Sequence, residues 1–385
     1  MDARDLVRAV GSDPQRTARV WLTASPGFPE RVDWAELALL ALRHRVSGLV
    51  VDALAAAGWL ESVPVTVHEQ LHHFAGMARS KQLELEAALV ELAGRHPAEV
   101  GRAVLLKGGA LYPEYASRTH RWMNDFDLLF SGEDYDRVRD TFADLGYWLK
   151  ESLNGPTFYR DSTGPDGPLC LDVHVLGPSK YSRPEEALSD GWLTETEPYE
   201  VAGVALLRPK LTWQLVNVVT HVHEHLHSWI HAVGEDDVRS VRFADAELLV
   251  EKLGADPAAA GALARELGLE GEWLLGLWAW KQVRGELPAA LAPLVPTLDR
   301  LDEVGELTAL PRGRFATWPV PLRERAWLTD QLQLALDLEP EHSGRDWGAL
   351  QQWYKTSGML PAERERVEDI AERARQLVAG VPAGG

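Results

Sequence analysis

Two aspartates, Asp125 and Asp127, are separated by one residue in the segment MNDFDLLF. Alternate side chains of a β-strand point to opposite faces, so both carboxylates would face one side while Phe126 and Leu128 face the other. Two carboxylates this close repel each other unless a cation lies between them. Their hard oxygen atoms suit Mg²⁺ or Mn²⁺. The spacing therefore predicts a divalent metal site, and its alternative is a pair of acids on a solvated strand.

A third acid, Asp172, lies in a second apolar strand candidate, LCLDVHVL. Its neighbours Leu171 and Val173 must face the opposite side of that strand. If the two strands are adjacent, three acids meet on one face and form a cation site. The alternative for Asp172 is an ordinary edge-strand carboxylate.

A pair of glycines, Gly108 and Gly109, follows the apolar run AVLL and Lys107. Residues without a Cβ atom let backbone N–H groups approach an anion closely. A helix that begins at Ala110 would add its N-terminal dipole, and Lys107 and Arg121 would supply charge to the same phosphates. The alternatives are that Gly108 and Gly109 only turn the chain, that Lys107 is solvated, and that Arg121 forms a structural ion pair.

The segment HVHEHLH contains a competing metal motif. His223, Glu224 and His227 fit the zincin pattern His-Glu-x-x-His, which would give a zinc metalloprotease. On a helix the two histidines share a face. However, five histidines between residues 221 and 231 make a chance match easy, and the apolar stripe of this helix points away from the pair. Structural or substrate-site histidines are the preferred interpretation.

Three further residues are candidates for an acceptor site. His221 and His225 form a second pair on the other flank of the same stripe, and Asp245 falls on a helical face with Val241 and Leu248. A buried carboxylate is costly unless it is paired. Asp245 is therefore expected either to pair with an arginine or to contribute to the substrate site.

The elements that must position these residues follow from periodicity. Residues 33–98 have apolar residues at helical spacing. From Gly101 the pattern changes to short apolar runs, which are typical of strands. EDYDRVRDTFADLGYW predicts a helix that Gly146 stops, and residues 154–170 carry turn signals. After Pro209 the pattern is helical again.

The composition of the chain excludes several classes of function. The chain has 385 residues and a net charge of −19, which argues against a broad cationic surface for nucleic acid. A single cysteine, Cys170, excludes a disulfide framework and a Cys-rich zinc module. No secretory signal and no run of 18 uncharged apolar residues is visible, so we expect a soluble cytoplasmic protein with no membrane partner.

The motifs LLKGGALYPEY, RWMNDFDLLF and LDVHV together resemble the nucleotidyltransferase superfamily related to DNA polymerase β. More narrowly, the chain is similar to the family of uncharacterised nucleotidyltransferases and to the nucleotidyltransferase toxins with a Lys-Gly-Gly loop. The resemblance spans roughly residues 40–250, including HRVSGLVVDAL and the long Leu/Glu-rich segment before the LLKG strand.

The resemblance implies an α+β fold: a polymerase β-like core with a small mixed sheet, flanked by helical domains. The expected domains are 1–100, helical; 101–205, the nucleotidyltransferase core; and 206–385, helical. It also implies roles. Asp125, Asp127 and Asp172 would be catalytic and hold Mg²⁺ or Mn²⁺. The nucleotide-binding residues would be Lys107, Gly108, Gly109 and Arg121.

The implied reaction is transfer of a nucleoside monophosphate from a nucleoside triphosphate (NTP), with ATP the expected donor, to an acceptor hydroxyl. The acidic composition favours a small-molecule or peptide acceptor over nucleic acid, although a tRNA acceptor, as for the related toxins, stays open. The family's usual Gly-Ser is Gly-Gly here. This departure motivates a second hypothesis, a nucleotide-binding accessory protein without turnover.

Overall fold

The structure is a computed structural model that describes residues 1–25, 32–152, 155–162, 168–175, 191–234, 236–329, 331–339 and 361–380. The chain divides into two compact units. We call residues 10–30 and 45–214 the sheet unit, and residues 1–9, 31–44 and 215–385 the helical unit. The predicted mixed α and β chain with helices at both ends is confirmed. The three domain ranges given above stay a prediction.

The sheet unit is built on seven strands: β1 (Val104–Leu105), β2 (Asp125–Leu129), β3 (Trp148–Ser152), β4 (Gly155–Arg160), β5 (Leu169–His174), β6 (Thr196–Val201) and β7 (Val204–Pro209). Their order in the sheet is β3-β4-β5-β2-β1-β7-β6. The pairs β2–β5 and β1–β7 are parallel, and the other neighbours are antiparallel. The sheet is therefore mixed, with β2 and β5 at its centre.

Helices of the sheet unit cover one face of this sheet. Phe126 and Leu128 of β2 are fully buried in one apolar cluster with Leu85 and Leu89 of the long helix Val65–Arg95 and Phe142 of the helix Gly132–Asp144. Burial of these alternate residues turns the intervening residues of β2 to the other face. Within the described residues, the sheet unit also has the helices Pro14–Ala24, Ser47–Ala56 and Pro97–Val100, a helical segment at 191–194, and 3₁₀ turns at Leu60–Ser62, Lys107–Ala110, Tyr112–Glu114 and Arg118–His120.

Two local expectations concern loops. Residues 107–114 form two short 3₁₀ turns, so the condition considered above, an α-helix that begins at Ala110, is not met. The sequence Tyr112-Pro113 explains the difference, because proline disfavours a helical conformation in the residue before it. The phosphate-binding contribution of a helix dipole at this loop therefore does not apply. The turn signals at 163–167 lie outside the described residues.

The helical unit contains helices of 4 to 19 residues: Ala3–Arg8, Trp34–Arg43, Trp229–Val233, Ser240–Glu247, Pro257–Glu266, Glu270–Arg284, Val295–Leu298, Asp302–Gly305, Leu322–Arg325, Gln331–Leu338 and Pro361–Ala379. The helix Leu211–Leu226 begins in the last residues of the sheet unit. A π-helical turn, Leu248–Lys252, and 3₁₀ turns at Ala289–Leu294 and Asp299–Leu301 complete the helices. Two strands, β8 (Leu307–Ala309) and β9 (Phe315–Thr317), form a small antiparallel sheet where only helices were predicted.

None of the helices in the described part of the chain is both long and apolar enough to cross a membrane.

Candidate functional site

The three predicted acids lie together on the face of the sheet opposite the helices Val65–Arg95 and Gly132–Asp144. Because β2 and β5 are parallel neighbours, Asp127 stands directly across from Asp172, and Asp125 stands across from Cys170. The side chain of Asp127 is 7% exposed and that of Asp172 is 19% exposed. Buried carboxylates need partners of opposite charge. The partners come from the loop after β1 and from β5 itself.

Lys107 supplies the first partner. Its Nζ lies 2.6 Å from Oδ1 of Asp127. The backbone of Lys107 has a φ of +47°, in the left-handed region that non-glycine residues rarely adopt. Such a conformation costs free energy in a residue other than glycine. The fold therefore holds this ammonium over the carboxylates at some cost.

The two glycines that follow have different structural roles. A Cβ atom at Gly108 would lie 2.5 Å from Nη2 of Arg121, so this glycine lets the guanidinium rest against the loop. A Cβ atom at Gly109 would lie 2.8 Å from Cδ1 of Leu105 and 3.2 Å from Cδ1 of Phe126. Gly108 thus makes room for the predicted phosphate-binding arginine, whereas Gly109 makes room for the core.

Polar contacts to the helix Val65–Arg95 fix the loop that carries Lys107 and Arg121. Buried Glu86 of the helix Val65–Arg95 accepts a hydrogen bond from the hydroxyl of Tyr112 at 2.8 Å and from Nη2 of Arg118 at 2.8 and 3.0 Å. Nε2 of Gln82, on the same helix, donates to the carbonyl oxygen of Arg121. This anchoring preorganises the residues of the predicted nucleotide loop.

His174 is a site residue that the sequence prediction did not include. Its Nε2 lies 3.0 Å from Oδ1 of Asp127 and 3.3 Å from Oδ2 of Asp172. A neighbouring side chain, Thr157 of β4, donates a hydrogen bond of 3.0 Å to Oδ1 of Asp172. The signal for His174 was present in the sequence, because it lies two residues after Asp172 and therefore on the same face of β5.

The electrostatics of this cluster follow from burial and close charges. Burial, with Asp127 nearby, raises the pKa of Asp125 to about 6. Burial alone would also raise the pKa of Asp127, but Lys107 and His174 outweigh it and lower that pKa. For Asp172, likewise, His174 outweighs burial and the pKa is lowered.

The pKa values of the two basic side chains, Lys107 and His174, are shifted upwards. Burial would lower the pKa of Lys107 and of His174, but the facing carboxylates raise both. The cluster thus stabilises separated charges in a buried place, an arrangement typical of functional sites.

The cluster fits a divalent cation. One ligand atom each from Asp127, Asp172 and His174 can be chosen so that all lie within 4.8 Å of one another. Two carboxylates and an imidazole are an accepted donor set for a divalent ion, and Asp125 offers a further carboxylate on the same face. No residue of this set belongs to the helical unit.

The predicted acceptor-site residues His221, His225 and Asp245 lie in the helical unit. The ring of His225 lies between those of His221 and His231, with centroids 4.3 and 4.0 Å away. His225, His231 and Asp236 form the second group of three metal-ligating side chains in the described residues. Asp245 is buried on the helix Ser240–Glu247. An acceptor role for these residues stays a prediction.

The zincin motif does not form a metal site in the described residues. Nδ1 of His227 donates to the carbonyl oxygen of Leu307 at 2.7 Å, and burial lowers the pKa of His223 to about 4. Neither histidine belongs to a group of three metal-ligating side chains within the described ranges. The pair is part of the interior of the helical unit.

Comparison with known families matches the chain to one of them. A family model described as "Uncharacterised nucleotidyltransferase" matches residues 30–285. No curated protein and no solved structure matches the chain. The matched range includes Lys107, Asp125, Asp127, Asp172 and His174 and covers more than half of the chain. The chain therefore belongs to the uncharacterised nucleotidyltransferase family, and it is a transferase with a nucleotide substrate.

Proposed function

We propose that the sheet unit transfers a nucleoside monophosphate from an NTP, with ATP the expected donor, to a hydroxyl of a small-molecule or peptide acceptor. The observation that carries the proposal is the pairing of Asp127 with Asp172 across two parallel strands, beside an ammonium 2.6 Å away. Paired buried carboxylates with a lysine and a glycine loop are what a bound triphosphate and a divalent ion require.

The binding roles follow from charge. Lys107 and Arg121 bind the phosphates, and the N–H groups of Gly108 and Gly109 approach them closely. Asp125, Asp127 and Asp172 hold Mg²⁺ or Mn²⁺. When bound, the ion supplies positive charge to the phosphate oxygens and helps to orient them.

In the reaction, an oxygen of the acceptor forms a bond with the α-phosphorus. The bond from that phosphorus to the bridging oxygen of the β-phosphate breaks, and pyrophosphate leaves with the electron pair. The hydroxyl proton passes to the carboxylate of Asp172, which is the more exposed member of its pair with Asp127. The remaining contribution of the protein is to position the reacting groups in line.

The net charge of −19 favours a small or peptide acceptor. The test is to incubate the purified chain with each α-³²P-labelled NTP, Mg²⁺ or Mn²⁺, and panels of metabolites, peptides and tRNA. Label transferred to a small molecule or a peptide, with release of pyrophosphate, would support the proposal. Label on tRNA alone would contradict the proposed acceptor, and tight nucleotide binding without transfer to any acceptor would favour the accessory protein.

A further inference from the structure

The proposed reaction leaves unexplained why a histidine points between two of the carboxylates. The side chain of His174 is 5% exposed, and its Nε2 contacts Asp127 and Asp172 at 3.0 and 3.3 Å.

The position of Nε2 suits a metal ligand. An ion placed within reach of the oxygens of Asp127 and Asp172 would also be within reach of this nitrogen, because all three atoms can lie within 4.8 Å of one another. A ring nitrogen that binds a metal carries no proton, so Nε2 would contact the ion in place of the two carboxylates that it now faces.

We infer that His174 is a nitrogen ligand of the divalent ion, together with Asp127 and Asp172, and that the site consequently selects Mn²⁺ over Mg²⁺. Mg²⁺ strongly prefers oxygen ligands and keeps its waters, whereas imidazole is a good ligand for transition ions. The inference rests on the proposed function, since it concerns the ion of the same site. It goes beyond that function by assigning a fourth side chain and a metal preference.

The test is to titrate the full chain with Mn²⁺ alone and to record its electron spin resonance. The free-ion signal gives the affinity, and electron spin-echo modulation detects nitrogen bound to the ion. We expect nitrogen modulation in the wild type, and a change in its frequencies when the chain contains ¹⁵N-labelled histidine. Bound Mn²⁺ without any nitrogen modulation would overturn the inference, whatever the variants do.

The variant His174→Gln keeps an amide that can donate to the carboxylates but removes the imidazole. We expect it to lose the nitrogen modulation and to reduce the ratio of Mn²⁺ to Mg²⁺ affinity by about tenfold or more. The matched control is His231→Gln, which removes an imidazole from the other group of metal-ligating side chains. Modulation that survives in His174→Gln and disappears in His231→Gln would contradict the assignment.

A different result separates this inference from the proposed function. Nucleotidyl transfer by a wild type that binds Mn²⁺ without nitrogen modulation would remove the role of His174 and leave the reaction standing. If nitrogen modulation depends on His174 but the chain transfers no label to any acceptor, the role of His174 as a metal ligand stands and the proposed reaction fails.

Discussion

Lys107 is the residue on which nucleotide binding depends most in this account. Its ammonium lies 2.6 Å from Asp127, and its φ of +47° holds it at the start of the glycine pair. A charged hydrogen bond to a phosphate contributes about 1.5–3 kcal/mol, which corresponds to roughly 10- to 100-fold in affinity.

We therefore expect Lys107→Ala to weaken NTP binding by about 10- to 100-fold, as measured by isothermal titration calorimetry. The control is Lys210→Ala, which removes an exposed lysine paired with Glu195. Equal NTP affinity in Lys107→Ala and wild type would remove Lys107 from the binding site.

The two glycines give a matched pair of substitutions. Gly108→Ala places a methyl group against the guanidinium of Arg121, the far end of a flexible side chain that can move. Gly109→Ala places the same group against buried Leu105 and Phe126. The first should weaken NTP binding with little loss of stability. The second should lower the free energy of unfolding by about 1–3 kcal/mol.

Chemical denaturation and NTP titration of both variants check this separation. A Gly109→Ala variant as stable as wild type, or a Gly108→Ala variant with wild-type NTP affinity, would show that the roles are assigned wrongly.

At the scale of elements, the strand pairing determines the site, and sequence periodicity revealed part of it. The alternation in MNDFDLLF correctly indicated that Phe126 and Leu128 face the core. The same alternation in LCLDVHVL could have identified His174, but the prediction considered only acids as ligands. The parallel register of Asp127 with Asp172 could not be read from the sequence, since it depends on long-range pairing of strands 45 residues apart.

The hairpin of β6 and β7 was also missed, because TEPYEVAGVALLRP is only weakly apolar and carries two prolines. Its turn residues Ala202 and Gly203 have φ values of +52° and +78°. Two successive positive φ values are typical of a type I′ turn, which favours Asn-Gly.

Ala202→Asn should therefore raise the free energy of unfolding by about 0.5–1 kcal/mol, since asparagine tolerates the left-handed conformation better than alanine. The measurement is the urea midpoint of the variant against wild type. The substitution Gly203→Ala should act in the opposite direction, because it adds a Cβ atom at a positive φ. A lower midpoint in Ala202→Asn would mean that the turn is not of this type.

At the scale of the whole molecule, buried histidines make stability depend on pH. Burial lowers the pKa of His44 and His227 well below the ordinary value, and lowers that of His223 to about 4. His44 is held neutral, with Nε2 donating to the carbonyl of Ala326 and Nδ1 accepting from the N–H of Ser240. All these contacts lie inside the helical unit.

The unfolded chain binds protons at these histidines below about pH 6.5, whereas the folded chain does not until the pH falls further. The stability that comes from keeping them neutral is complete above about pH 6.5 and is lost as the pH falls towards about 4. We expect the free energy of unfolding to decrease from about pH 7.5 to about pH 5, by up to about 1.4 kcal/mol per pH unit for each histidine, and the urea midpoint to fall with it.

The variant His227→Gln should show a shallower pH dependence than wild type. The control is His73→Gln, at an exposed position of the sheet unit, which should keep the full dependence. A midpoint that stays constant or rises as the solution is acidified would refute this explanation.

At this scale the sequence predicted the family of the protein but not its acceptor. The motifs LLKGGALYPEY, RWMNDFDLLF and LDVHV led to the family, which the comparison confirms, whereas charge and the single cysteine only excluded other classes. The acceptor was not predictable in the same way. It depends on the shape of a binding site formed by residues far apart in the sequence, and no periodicity encodes that shape.

The most direct measurement of the central claim is label transfer from an α-³²P-labelled NTP by single-site variants. We predict that Asp127→Asn and Asp172→Asn each reduce transfer by at least about a hundredfold, since each removes a carboxylate that we propose as a ligand of the ion. Asp140→Asn, at a side chain 91% exposed on the helix Gly132–Asp144, should transfer label at the wild-type rate. Wild-type transfer by both Asp127→Asn and Asp172→Asn would contradict the account.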